Sequence, residues 1–328
     1  MLLKIFKGNQ PALIVIIPLF TGLLWIKTFI DPSDVKLNFD LNEMPLWHFI
    51  NAYTADLIIV RKIIAWILLI ANSLWLTRIC TKFILVKTRT YLPALFYGFI
   101  CSGMVFLQDL NPALLTVIFL IPAIEKMFDS YKEEELSYKY FEAALLISLG
   151  SMFYSRAALF MFVLWIALAI LRTPNWREWT ISVIGFILPY IFLTLILYLL
   201  DKNIGDYFYK IALNFRISRG VSFFNLYSII YYAFLLFLVA VSSFQIISIY
   251  QGLKIYARIY YRIFFWMFIL TLIFGIAFFN QASELIYFLA IPISYILTFY
   301  FYSLKLDWLG EILFTFFIIL TGLSVVMG

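Results

Sequence analysis

Long apolar stretches broken at short intervals by small knots of charge set the pattern of this chain. Runs without Asp, Glu, Lys or Arg occupy 8–26, 63–77, 90–108, 110–124, 143–155, 157–171, 179–200, 220–253, 263–283, 285–304 and 312–328. A helix needs roughly 20 apolar residues to cross about 30 Å of hydrocarbon. The pattern therefore predicts an all-α polytopic membrane protein of about eleven transmembrane helices. The runs 63–77, 110–124, 143–155 and 157–171 are short for a crossing unless flanking charges snorkel, so they are the spans whose loss would lower the count to nine or ten.

The polar intervals between runs are also informative. The longest are 27–62, 125–142 and 201–219, too short for a soluble domain, and no repeat or low-complexity linker divides the chain. Residues 1–328 read as a single transmembrane domain. Asp31-Pro32 should stop the first helix, because the residue before a proline is pushed out of the helical region. Composition agrees with the pattern: 65% hydrophobic and 13% charged residues, with a mean hydropathy of +0.99. A soluble globule carries about 25% charged residues. Lys4 and Lys7 ahead of an apolar stretch look like the start of a signal peptide, but IKTFIDP offers no small-x-small cleavage site, so this stretch is expected to stay as the first span.

Charge orients the predicted spans. With the N-terminus cytoplasmic and the C-terminus extracytoplasmic, fifteen of the 24 Lys and Arg residues fall inside and nine outside, so the positive-inside bias favours this orientation in a bacterial inner membrane. The net charge of +6 follows from this asymmetry, so nucleic acid is not an implied partner. Trp25, Trp47, Trp176 and Trp179 flank charged turns and are expected at the headgroup level. MPLWHFINAY, from Met44, suits a helix lying on the membrane surface, with His48 at the interface.

Two polar clusters then face outward. DPSDVKLNFDLNE, residues 31–43, holds Asp31, Asp34 and Asp40 as candidate catalytic carboxylates. DKNIGDYFYKIALNFRISRG, residues 201–220, has apolar residues at helical spacing. Gly220 is placed to end that helix, and Arg216 and Arg219 would share one face. An arginine fork suits phosphate, because the planar guanidinium binds oxyanions bidentately. Arg61, Lys62 and Arg156 fall on the same predicted face and complete the candidate substrate-binding set around a polar outer cavity lined by 27–62 and 201–219.

Each feature has a simpler reading as well. The arginines would serve as headgroup contacts, the acidic stretch as a solvated loop, and Asp109 in QDLNP as the N-cap of a helix beginning at Pro112. Span interiors almost free of ionisable groups argue against a proton-coupled carrier. Cys80 and Cys101 give neither a disulfide framework nor metal-ligand spacing.

Acidic residues directly after the first span are similar to the C-type fold of membrane glycosyltransferases, in which a first-loop Asp serves the acceptor or a metal. That resemblance implies action on a polyisoprenyl-phosphate-linked sugar or related envelope lipid, with a divalent cation such as Mg or Mn as a compatible cofactor. LNPALLTVIFLIPAIEKMF, FEAALLISLGSMFYSRAALFMFVLWIALAILR and NWREW resemble a family of multi-pass inner-membrane proteins of Bacteroidota. Some of its members have carried the label of carotene monooxygenase. His48 is the sole histidine, whereas carotenoid-cleaving oxygenases hold iron with several, so that chemistry does not fit this chain. The alternative to an enzyme is a noncatalytic membrane subunit whose charged outer loops dock a partner protein.

Overall fold

A computed structural model describes residues 2–8, 10–32, 40–131, 137–171, 175–216, 225–278, 283–304 and 306–327, and among them every regular element is helical. The chain begins with α1 (Leu2–Lys7), α2 (Leu13–Ile30), α3 (Pro45–Thr54), α4 (Ile58–Lys82), α5 (Leu92–Ser102), α6 (Pro112–Asp129) and α7 (Ser137–Ser151). It continues through α8 (Phe160–Leu171), α9 (Trp176–Leu199), α10 (Ile204–Leu213), α11 (Leu226–Ile249), α12 (Ile255–Ala277), α13 (Ile286–Ser303) and α14 (Asp307–Met327). Local chemistry sets several ends. Asp31 caps α2 ahead of Pro32. At the start of α6, Asn111 accepts the Leu114 N–H at 2.8 Å with Pro112 in the first turn. Asn175 and Asn203 cap α9 and α10 in the same way.

Each apolar run of the sequence overlaps one helix. Among the described residues, seven segments are long and apolar enough to cross a membrane: 13–30, 58–82, 176–199, 226–252, 255–277, 283–303 and 307–327. The run 63–77, short by sequence, lies within the 25-residue α4, which carries Arg61, Lys62, Arg78 and Lys82 inside its own ends. The other three short runs lie in helices of 18 residues or fewer.

The core is the pair α5 and α13. Every residue of α5 is buried, and so is nearly all of α13 from Tyr287 to Phe301. α4, α6, α11 and α12 pack around this pair. Outer helices show the opposite exposure: Val15, Leu19 and Leu23 on α2, and Phe192, Leu195 and Ile196 on α9, stand in the open. An apolar rim around an apolar core is the arrangement for which lipid, not water, is the solvent.

Lipid gives little hydrophobic drive between helices, so close packing and polar contacts must join them. α9 meets α7 at Gly185, where a Cβ would lie 2.5 Å from the Phe141 carbonyl, and Ser148 Oγ donates to the Phe186 carbonyl at 2.6 Å. Tyr295 Oη similarly donates to the Leu76 carbonyl at 2.9 Å.

The tryptophans expected at the headgroup level differ in exposure, and Trp179 is partly buried. Trp176 is exposed, but Trp25 and Trp47 are buried, and Trp25 Nε1 donates to Ser102 Oγ at 2.9 Å inside the bundle. The expected helix through Arg216 also ends early. α10 stops at Leu213, so Arg216 lies past it on an exposed turn, and Arg219 lies outside the described residues. The shared arginine face is therefore absent at Arg216.

Candidate functional site

One end of the bundle gathers the α2 terminus, α3, the 103–111 and 151–157 connections, α10 and the start of the 283–303 segment. Two polar assemblies form there.

The first is a buried strap. Asp40 reaches the 3₁₀ turn Ser155–Leu159 and accepts two bonds from Ser155, from the backbone N–H at 2.9 Å and from Oγ at 2.8 Å. Arg156 Nη1 lies 3.6 Å from Asp40 Oδ1 and 3.7 Å from Glu284 Oε1, so one guanidinium serves two carboxylates. Tyr154 Oη donates to Glu284 Oε1 at 2.8 Å and accepts from Arg156 Nη1 at 3.0 Å. The Phe278 ring covers the guanidinium at 4.9 Å. Asp40 is 4% exposed and both Arg156 and Glu284 are 3% exposed. Burial pushes the Asp40 carboxyl above its usual range, while Arg156 and the Ser155 bonds draw it partly back.

The strap extends to α10. Asn42 and Asn214 exchange bonds: Asn42 N–H donates to Asn214 Oδ1 at 2.7 Å, and Asn214 Nδ2 donates to the Asn42 carbonyl at 2.9 Å. Asn42 Nδ2 also donates to the Lys210 carbonyl at 2.8 Å. Met152, Leu193 and Leu197 form a small apolar cluster against Leu46, Ile204 and Tyr207, seating α3 and α10 on the ends of α7 and α9. The return of the first loop is thus tied down at several independent points.

The second assembly is a recess of about 60 Å³ lined by Lys27, Thr28, Asp31, Lys62, Val105, Phe106 and Asp109. Lys27 and Asp31 are four residues apart at the end of α2, which sets them on one side of the helix. Lys62 is 4% exposed in the second turn of α4. Lys27 Nζ donates to the Val326 carbonyl at 3.1 Å, fixing the ammonium against α14. Asp109 is not the N-cap of α6, a role taken by Asn111. The capping oxygen must come from the residue next to the first helical turn. Asp109 Oδ1 instead accepts the Leu110 N–H at 2.7 Å and lies 3.5 Å from Arg61 Nε.

Arg61 is fully engaged by protein groups. Nη1 donates to Asn51 Oδ1 at 2.8 Å, Nη2 donates to the Leu110 carbonyl at 3.0 Å, and the guanidinium sits 5.8 Å from the Trp47 ring centroid. It positions Asp109 and α3.

The sequence candidates therefore separate. Asp31 and Lys62 come together in the recess; Asp40 and Arg156 come together in the strap; Arg61 braces the recess from behind. Asp34 and Arg219 lie outside the described residues. Among the described residues, a recess lies between α2, the start of α4 and the 105–109 connection, and the Asn42–Asn214 pair holds α10 to the first loop.

Three participants were missed by sequence reasoning. Glu284 is the single charge between the apolar runs 263–283 and 285–304, a signal that was present in the pattern. Lys27 was visible from its four-residue spacing to Asp31. Tyr154 had no signal, since its partners are remote in sequence.

No three His, Cys, Asp or Glu side chains converge among the described residues. The recess sets two ammonium groups beside two carboxylates, a donor set that suits an oxyanion next to a proton acceptor and does not fit a divalent cation.

The fold defines the class: an all-helical membrane protein with several segments able to cross the bilayer. No protein-family model, curated protein or solved structure matches this chain.

Proposed function

We propose that the chain crosses a bacterial inner membrane eleven times, N-terminus inside. On this reading its outer end acts on a polyisoprenyl-phosphate-linked sugar or related envelope lipid. The observation that carries this reading is the placement of Asp31, the first residue beyond α2, in one recess with Lys27 and Lys62. The recess takes a phosphate and little more, so the sugar lies above it and the polyisoprenyl chain beside the apolar face of α2. Lys27 and Lys62 hold the phosphate oxygens. The Asp31 carboxylate takes the proton of an acceptor hydroxyl as that oxygen attacks the anomeric carbon, and the sugar–phosphate bond breaks with the lipid phosphate as leaving group. Arg61 and Asp109 keep the wall in place, and the Asp40–Arg156–Glu284 strap fixes the return of the first loop. The similarity to the C-type glycosyltransferases rests on this same position of a carboxylate after the first span.

Binding tests the reading at Lys62. A hydrogen bond to a charged group contributes about 1.5–3 kcal/mol, so Lys62→Gln should weaken binding of a polyisoprenyl phosphate in nanodiscs roughly 10- to 150-fold. Unchanged affinity in correctly folded Lys62→Gln would remove the phosphate from the recess.

Topology is tested separately. A cysteine at Asn203, exposed ahead of α10, should react with a membrane-impermeant thiol reagent from the outside, whereas one at Tyr131, after α6, should be protected. The native Cys80 and Cys101 are buried and give low background. Reversed labelling would put the recess on the cytoplasmic side.

A further inference from the structure

The other end of α4 borders a second concavity. Lys62 and Arg78 are sixteen residues apart on this helix, so at 1.5 Å per residue they are separated by about 24 Å. Around Arg78 the chain leaves α4 for the 83–91 connection and borders an open cavity of about 460 Å³. Its polar wall carries Thr77, Arg78, Lys82 and Arg89, and its apolar wall carries Ile14 of α2 and Leu74 of α4.

The charges in this wall are unevenly satisfied. Lys82 Nζ donates to Glu125 Oε1 and Asp129 Oδ2, both at 2.8 Å, and is thereby neutralised. Arg78 and Arg89 form no ion pair among the described residues, and both are exposed. Thr77 supplies an independent observation. Its side chain is 8% exposed, yet its hydroxyl has no hydrogen-bond partner. A buried hydroxyl is costly to leave unpaired, and this one lies at the wall of the cavity.

Two guanidiniums without a direct ion pair, Arg78 sharing the field of Glu125 with Lys82, and an unsatisfied hydroxyl suit an oxyanion. Ile14 and Leu74 call for an apolar group on the same ligand, and both belong to helices at the lipid boundary. The volume falls in the range of small-molecule sites, roughly 300–1,000 Å³. We infer that this cavity binds the phosphodiester headgroup of an anionic phospholipid from the surrounding leaflet. Arg78 and Arg89 pair with the phosphate, the Thr77 hydroxyl reaches it on rotation about its side-chain bond, and an acyl chain runs along Ile14 and Leu74. This site depends on the bilayer setting alone and is independent of any chemistry at Asp31.

Lipid binding to the full chain in mixed micelles, followed by native mass spectrometry, tests the assignment with phosphatidylglycerol, phosphatidylcholine and glycerol 1-phosphate as probes. Phosphatidylglycerol should bind about tenfold more tightly than phosphatidylcholine, and the Arg78→Gln, Arg89→Gln double variant should reduce that preference to about twofold or less. Thr77→Val should lower phosphatidylglycerol affinity about threefold while its melting temperature in lipid-free detergent stays level or rises, because the unpaired hydroxyl is gone. Lys254→Gln, on the α11–α12 connection outside the cavity, should leave the preference intact. Equal binding of the two lipids, a preference that survives in the double variant, or an equal loss in Lys254→Gln would overturn the site. Displacement of phosphatidylglycerol by glycerol 1-phosphate at equal concentration would identify a soluble phosphate ligand and overturn the lipid assignment.

Discussion

Asp31→Asn should reduce turnover of a polyisoprenyl-phosphate-linked sugar by about 10²- to 10⁴-fold, the usual contribution of a positioned general base. The change is isosteric and the side chain is exposed at the mouth of the recess, so protein abundance should hold. The phosphate is held by the lysines, so the loss should appear in kcat with binding of the lipid phosphate little changed. Asp40→Asn should behave differently. Its carboxylate is enclosed by Ser155 and Arg156, so the defect should be one of stability, with specific activity of the folded fraction preserved. A noncatalytic docking subunit gives another signature: Asp31→Asn and Asp40→Asn would each weaken partner association slightly, add together, and fade with salt. Normal turnover in Asp31→Asn would end the enzymatic reading of the recess.

Arg156→Met should destabilise the folded protein by about 3–5 kcal/mol, because it strands Asp40 and Glu284 in a closed site without their shared counter-charge. Denaturant unfolding in micelles would read this as a large fall in midpoint at an unchanged slope. The triple replacement Asp40→Asn, Arg156→Met, Glu284→Gln should recover much of the loss, since it removes the stranded charges together with their partner. Recovery sets this strap apart from a simple packing defect, in which each further substitution would add to the damage.

The run-by-run pattern located the helices well, and the reasons are local. Eighteen or more apolar residues without charge have few alternatives to a helix in lipid, and Asp31-Pro32, Asn111-Pro112 and Asn203 mark boundaries within a few residues of themselves. The site was legible only in its parts. Asp31, Asp40, Lys62 and Arg156 were all named as candidates, yet the pattern treated the first-loop acids as one group. Their partners divide them: Asp31 remains on the end of α2, whereas Asp40 is held by a turn 115 residues further on. The burial of Trp25 was hidden for the same reason, since its acceptor, Ser102, is 77 residues away. Glu284 is the instructive omission. A single carboxylate between two apolar runs reads as a loop residue until a buried arginine elsewhere is known to need a second partner.

The burial of α5 bears on how the protein is made. Eleven residues rise only about 16 Å, roughly half the hydrocarbon thickness, so α5 is a poor candidate for independent insertion. In the finished bundle its length costs nothing, because α13 covers the face that lipid would otherwise meet. But α13 starts at Ile286, and at about 5–20 residues per second a ribosome needs roughly 10–40 s after completing α5 to reach it. During that interval the short helix must be held by α2, α4 and, once it is made, Tyr231 of α11, which donates to the Phe99 carbonyl. Synthesis of α13 therefore closes the centre of the molecule, and a nascent chain halted before residue 286 would carry an open groove where its core belongs.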